Sequence, residues 1–155
     1  MPGQAEIDSL LTRAQVGFLA TSVDDQPFLH SSLFWYDAPA RRIYLHTARE
    51  GRTHDNVLAN PRVSFSVAEL GRLLPAKTAL NFSNEYASVC IFGQARIVGT
   101  DEEKRHGLQG LLTKHFPELH SGADYRPITD DELTQTAVYA IEIEGWSGKQ
   151  KTVPE

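Results

Sequence analysis

The stretch "LHTAREGRTHDNVLANPRVSF", residues 45–65, joins two β-like runs through a connector that holds Arg49, Gly51, Arg52, Thr53 and His54 within six positions. Asn60-Pro61 ends anything helical in between, because proline disfavours helical backbone in the residue before it. The pattern predicts a strand end, a short helix beginning near Glu50 to Arg52, and a stop at Asn60-Pro61. A helix that starts there leaves the N–H groups of residues 50 to 53 unpaired at its positive end. Gly51 permits close approach, Arg52 offers a bidentate fork and Thr53 a hydroxyl donor. That set of groups suits a phosphate monoester. An ordinary helix start, capped by Thr47 with Glu50 and carrying solvated arginines, fits the same residues.

Outward from this segment the chain reads as strands. "VGFLATSV" (16–23), "PFLHSSLFWYD" (27–37) and "RRIYLHT" (41–47) suggest an antiparallel meander linked by "DDQP" and "DAPA". In the second run Leu29, Leu33 and Trp35 share one parity and are expected in the core. Phe28, His30, Ser32, Phe34 and Tyr36 share the other. "RVSFSVAEL" (62–70) alternates as a half-buried strand, and residues 71–84 read as irregular. "EYASVCIFGQARIVG" (85–99) is a long strand in which Gly93 suggests a bulge. Thr100 with Glu103 opens a helix that puts Leu108, Leu111, Leu112 and His115 on one face. Gly107 and Gly110 weaken that helix, which suggests that something packs closely on it. "TDDELT" adds a helical turn, and "TAVYAIEIEGWSGKQK" reads as the last strand. Ile7, Leu10, Leu11 and Ala14 mark an N-terminal helix over about 5–15. These six strands and flanking helices predict an α+β antiparallel barrel, closed or nearly so. With no glycine fingerprint and no βαβ alternation, a dinucleotide-binding α/β fold is not expected.

The 155 residues predict one domain over 1–155, with the barrel over about 16–150. A net charge of −5 and a pI of about 5.7 argue against nucleic acid or an anionic membrane as partner. Cys90 is the single cysteine, so a disulfide or cysteine-based zinc cluster is not expected, and no metal site is. The N-terminus lacks the pattern of a signal peptide, and no apolar run reaches the roughly 20 residues of a membrane span, so a cytoplasmic protein is expected.

The hairpin "FLATSVDDQPFLHSSLFWYD", then "IYLHTAREGRTHDNVLANPRVSFSV", "YASVCIFGQARIV", "EEKRHGLQGLLTKHF" and "AIEIEGWSGKQK" together resemble the FMN-binding split-barrel family. Within it, they are most similar to pyridoxamine 5′-phosphate oxidase-related proteins of the nitroimidazole-reductase type. The resemblance covers about residues 6 to 151. It implies a six-stranded split β-barrel and a homodimer with FMN at the subunit interface. It also implies an FMN-dependent oxidoreductase that passes electrons from a reduced nicotinamide to a small acceptor such as a nitro-aromatic. A non-catalytic flavin- or haem-binding module of the same fold is the alternative.

By the same resemblance, Phe28, Leu29, His30, Ser31 and Ser32 run beside the isoalloxazine ring. His46, Thr47 and Ala48 contact the ribityl chain and phosphate, and Gly51, Arg52 and Thr53 hold the phosphate. Trp146 and Lys149 of "WSGK" reach the flavin, from either subunit. Relatives carry lysine where this chain has Thr53, and His54 or Lys149 is the candidate replacement. Arginine-rich substrate motifs of a true pyridoxamine phosphate oxidase are absent, so vitamin synthesis is not implied.

Read on their own, His30 and His46 suggest two imidazoles facing one cavity, either as flavin hydrogen-bond donors and acid/base groups or as ordinary strand histidines. His30 is the best candidate for a catalytic group. Cys90 reads as an inert core residue.

Overall fold

In the computed structural model, which describes residues 2–155, the elements run α1 (Gln4–Arg13), β1 (Val16–Val23), β2 (Gln26–Leu33), β3 (Trp35–Asp37), β4 (Arg42–Ala48), α2 (Arg52–Ala59), β5 (Arg62–Leu74), β6 (Ser83–Ile97), α3 (Asp101–His115), α4 (Asp130–Thr134) and β7 (Thr136–Lys151). The strands form one antiparallel sheet in the order β2-β1-β5-β6-β7-β4-β3. The fold is therefore α+β with seven strands rather than the expected six. The extra strand arises because the run 27–37 breaks at Phe34, whose ring is fully buried and meets Phe65 edge-on at 5.0 Å.

That break has a geometric consequence. The two edge strands, β2 and β3, are joined by Phe34 alone, and one residue spans only about 3.6 Å. The sheet must curl until its edges approach each other, although the pairing order ends at β2 and β3 without a ladder between them. Inside the curl lie Phe34, Tyr36, Ile43, Leu45, Phe65, Ile91 and Tyr139, with Ile7, Leu10 and Leu11 of α1 packed into the same cluster.

The expected inward set of the second run is reversed. Leu29 is 66% exposed and Leu33 also faces out, whereas Phe34 and Tyr36 are in the core. Parity reveals two faces but not which one the curl encloses. Residues 71–74 and 83–84, expected as irregular, extend β5 and β6 into a ribbon with a register shift between Leu70 and Leu73. Leu70, Leu73, Leu80 and Phe82 are exposed there, so no inward–outward alternation marks the strands. Cys90 is half-buried rather than in the core, and it stands opposite Ser66 and Ser147.

Helix α3 covers the outer face of β3, β4 and β7, which explains why Ala137 to Ile141 are buried on both faces. Its two glycines have the close neighbours expected of them: a Cβ at Gly107 would lie 2.8 Å from the Tyr44 ring, and one at Gly110 would lie 2.0 Å from Trp35. Thr100 accepts from the Glu103 N–H, but the Glu103 carboxylate turns to Arg96 instead of closing a box. Near the end of α3, Lys114 Nζ donates to the carbonyls of Leu11 and Ala14 and lies 3.7 Å over the Phe34 ring. It thereby fastens α3 to the end of α1.

Burial pushes the Lys114 amine down from 10.5 to about 8. Between those pH values the unfolded chain holds this proton and the folded chain does not, so the Lys114 contribution to stability rises with pH across that window. Its cost is fully present below pH 8. Lys114→Met is expected to flatten this part of the stability–pH curve, measured by urea unfolding at several pH values. An unchanged slope would show that the ammonium stays charged throughout.

Candidate functional site

Strand β4 ends at Ala48, and the chain turns through Arg49, Glu50 and Gly51 into α2. Gly51 has φ 135°, a conformation side chains rarely adopt, and no heavy atom lies within 4 Å of where its Cβ would stand. Helix α2 has no side-chain N-cap. The Thr47 hydroxyl instead donates to the Ala48 carbonyl at 2.7 Å and lies 2.7 Å from the Tyr139 hydroxyl, so the Thr47–Glu50 capping box is not formed. The first intrahelical bond is Asp55 N–H to the Gly51 carbonyl at 3.1 Å. The N–H groups of Arg52, Thr53 and His54 therefore have no acceptor among the described residues, at the end of the helix where the dipole favours an anion.

Side chains on the inner side of α2 fix its position. Val57 is buried, Asn56 Nδ2 donates to Thr21 Oγ1 at 3.0 Å, and Asn60 Nδ2 donates to the Ser22 carbonyl at 2.9 Å. Sequence reasoning missed both asparagines; their i,i+4 spacing on one helix face was the available signal. Thr53 is only 6% exposed, so its side chain faces inward and it offers the open end its backbone N–H rather than a hydroxyl. Arg52 is exposed, and its guanidinium lies 5.3 Å from the centre of the Phe28 ring. His54 Nδ1 is 3.8 Å from the Asp55 carboxylate.

The Arg52–Phe28 contact brings β2 to the helix start. Opposite residues of an antiparallel pair share a face. Leu19 stands opposite His30 and Thr21 opposite Phe28, so Phe28, His30 and Ser32 lie on the face of Leu19. Leu29 and Ser31 lie on the outer face beside Ala20 and Phe18. As an edge strand, β2 leaves a row of backbone N–H and C=O groups outside the ladder, available to a polar ring edge. The outer face around it exposes Val16, Phe18, Leu29, Leu33 and Phe92.

Other candidates lie elsewhere. His46 lines an apolar cavity of about 240 Å³ with Leu33, Leu108, Leu111, Leu112 and His115, where desolvation holds both imidazoles below their ordinary value. His30 is not on its wall, so the two histidines do not share this cavity. Ala48 is exposed opposite Thr136. Trp146 stands opposite Ile91 with the Arg41 guanidinium 4.7 Å over its ring. Lys149 stands opposite Ser88 and lines a cavity of about 290 Å³ against α1. Both are on β7, with β6, β5 and β1 between them and β2 in the sheet. Within one protomer, then, Phe28 of β2 meets Arg52 at the start of α2, while Trp146 and Lys149 make no recorded contact with either.

Comparisons place this arrangement among known folds. The family model described as pyridoxamine 5′-phosphate oxidase matches residues 3–150. A FAD- and haem-binding protein from Mycobacterium smegmatis superposes with a TM-score of 0.87 at 22% identity, over 100% of this chain and 75% of that one. The flavocytochrome Anf3 from Azotobacter vinelandii gives a TM-score of 0.82 at 23% identity, over 98% and 69%. A protein from Bacteroides thetaiotaomicron, described as a candidate 5-nitroimidazole antibiotic resistance protein, gives 0.80 at 19% identity, over 96% and 84%. No curated protein matches the sequence.

Proposed function

The chain belongs to the pyridoxamine 5′-phosphate oxidase family, and from that premise we propose that it is an FMN-dependent oxidoreductase whose flavin phosphate sits on the start of α2. The observation that carries this reading is the uncapped α2 N-terminus, with Arg52 beside it and Phe28 of the unpaired β2 edge within 5.3 Å of that guanidinium. The three free N–H groups and Arg52 would hold a phosphate monoester. Backbone from Leu29 to Ser31 would hydrogen-bond the ring, and Thr47 with Ala48 would lie along the ribityl chain. Bound there, FMN supplies the transfer of hydride and electrons from a reduced nicotinamide to a small acceptor such as a nitro-aromatic. The chain's own part is to anchor, orient and leave one ring edge open, and His30 is the candidate group for moving a proton. FAD is the competing flavin, since two of the similar structures are a flavocytochrome and a FAD-binding protein.

The same reading takes the curled sheet as one split-barrel domain that works as a homodimer. Val16, Phe18, Leu29, Leu33 and Phe92 would be covered by a second copy, carrying Trp146 or Lys149 towards its flavin. Phe18→Asp is expected to shift the protein from dimer to monomer in sedimentation experiments, because a carboxylate buried there has no partner. A variant that stays dimeric would place the interface elsewhere.

The second reading is a binder of flavin or haem without turnover, and His46 favours it as an imidazole that desolvation holds below its ordinary value at the rim of a mostly apolar cavity. Absorption spectra separate the two. A two-band flavin spectrum that bleaches on anaerobic addition of reduced nicotinamide supports the oxidoreductase. A Soret band, or flavin that no such donor reduces, supports the binder. A colourless protein that takes up no added flavin contradicts the flavin site.

A further inference from the structure

We propose that the cavity between the end of β4 and the C-terminal half of α3 is a second ligand site, suited to a small phenol whose hydroxyl is held by His115. Strand β3 covers β4 only from Arg42 to Tyr44, so beyond Tyr44 the strand has β7 on one side and no strand on the other. The chain leaves β2 at Leu33 to reach β3, and α3 lies across the gap. Under α3 remain about 240 Å³, lined by Leu33, Leu108, Leu111, Leu112, Phe116 and Ile128. Apolar walls around a void lack contact partners, and a cavity of about 150 Å³ with such walls takes up benzene. The volume falls below the roughly 300–1,000 Å³ of a pocket for a drug-sized ligand, so it suits a single ring with a short substituent.

The polar groups of the wall decide what the ring must carry. Glu132 lines the cavity, yet its carboxylate is already satisfied: one oxygen takes the Arg126 guanidinium at 2.6 Å and the other the Thr129 N–H at 3.1 Å. Thr136 Oγ1 donates to the Glu132 carbonyl at 3.0 Å. Lys114 precedes His115 in α3 but turns its amine to the carbonyls of Leu11 and Ala14. That leaves the two imidazoles, His46 at the rim and His115 in the wall. His115 Nε2 lies 3.1 Å from the Phe34 carbonyl oxygen, and a carbonyl only accepts, so Nε2 carries the proton. Desolvation holds this imidazole below its ordinary value, which keeps the ring uncharged at pH 8. Nδ1 is then an acceptor, and it has no partner among the described residues. An unsatisfied acceptor beside an apolar void is matched by a ring with one hydroxyl donor. A carboxylate brings a charge that neither the acceptor nor the leucines can satisfy, and a plain hydrocarbon leaves Nδ1 unpaired.

The probe is p-cresol, titrated calorimetrically at pH 8 into the full chain, with p-xylene, in which a methyl group replaces the hydroxyl, as the control. One-to-one saturable binding of p-cresol with a Kd below about 1 mM is expected, unchanged when FMN is present. His115→Phe is expected to weaken p-cresol about tenfold or more and to leave p-xylene unchanged or tighter. Leu112→Phe, which fills the void, is expected to weaken both. In the natural sequence the His115 Nδ1 nitrogen resonance is expected to move with p-cresol and not with p-xylene, a readout that needs no variant. No saturable binding at millimolar p-cresol overturns the site. Loss of p-cresol binding when FMN is added makes the cavity part of the flavin site and overturns a separate one. Binding of p-cresol undiminished in His115→Phe, or a resonance that p-xylene moves as far, overturns the role of His115.

Discussion

Gly93→Ala is expected to remove about 3 kcal/mol or more of stability, a large share of what holds a domain of this size folded. A Cβ at this position would lie 2.0 Å from the Glu142 carbonyl oxygen, 3.1 Å from its carbon and 3.4 Å from Ile143 Cα. All three are backbone atoms, so no rotamer change relieves the clash. The β6–β7 register shifts between Phe92 and Gly93, and the same strand is paired with β5 on its other side. Moving β6 away from β7 would therefore press it into β5. Urea unfolding is the measurement, and a lowered midpoint at unchanged slope is the expected result. A midpoint equal to that of the natural sequence would mean that the bulge relaxes freely.

Arg52→Ala is expected to weaken FMN by about 1.5–3 kcal/mol, or roughly tenfold to a hundredfold in Kd, with no change in folding. The residue is exposed and its recorded partner is the face of Phe28, so truncation leaves the core intact. Arg52→Lys should recover only part of the loss, because an ammonium cannot grip a phosphate bidentately. Fluorescence titration with FMN measures both. An unchanged Kd in Arg52→Ala would remove the phosphate from the α2 start.

Much of this was legible in the sequence where one local rule dominated. Asn60-Pro61 ended α2 as expected, Thr100 capped α3, and Gly93 marked a bulge, since proline, capping and glycine chemistry act over a few residues. Gly107 and Gly110 announced a close neighbour without naming it; Tyr44 and Trp35 are 63 and 75 residues away, as the numbering gives. What the sequence hid was set by long-range closure. Whether Leu29 or Phe28 faces inward depends on how the sheet curls around Phe34, which alternation alone does not decide. The same holds for Thr53: its place in the helix start was readable, but its inward rotation follows from how Asn56 and Val57 dock α2 on β1. His30 and His46 read as neighbours because their strands do, yet α3 gives His46 a cavity of its own.

The central claim is that a phosphate monoester on the start of α2 anchors the flavin. Parallel titrations with FMN and riboflavin, which differ by that phosphate alone, test it most directly. FMN is expected to bind at least about tenfold tighter than riboflavin, with most of the difference lost in Arg52→Ala. Equal affinity for the two flavins would contradict the claim.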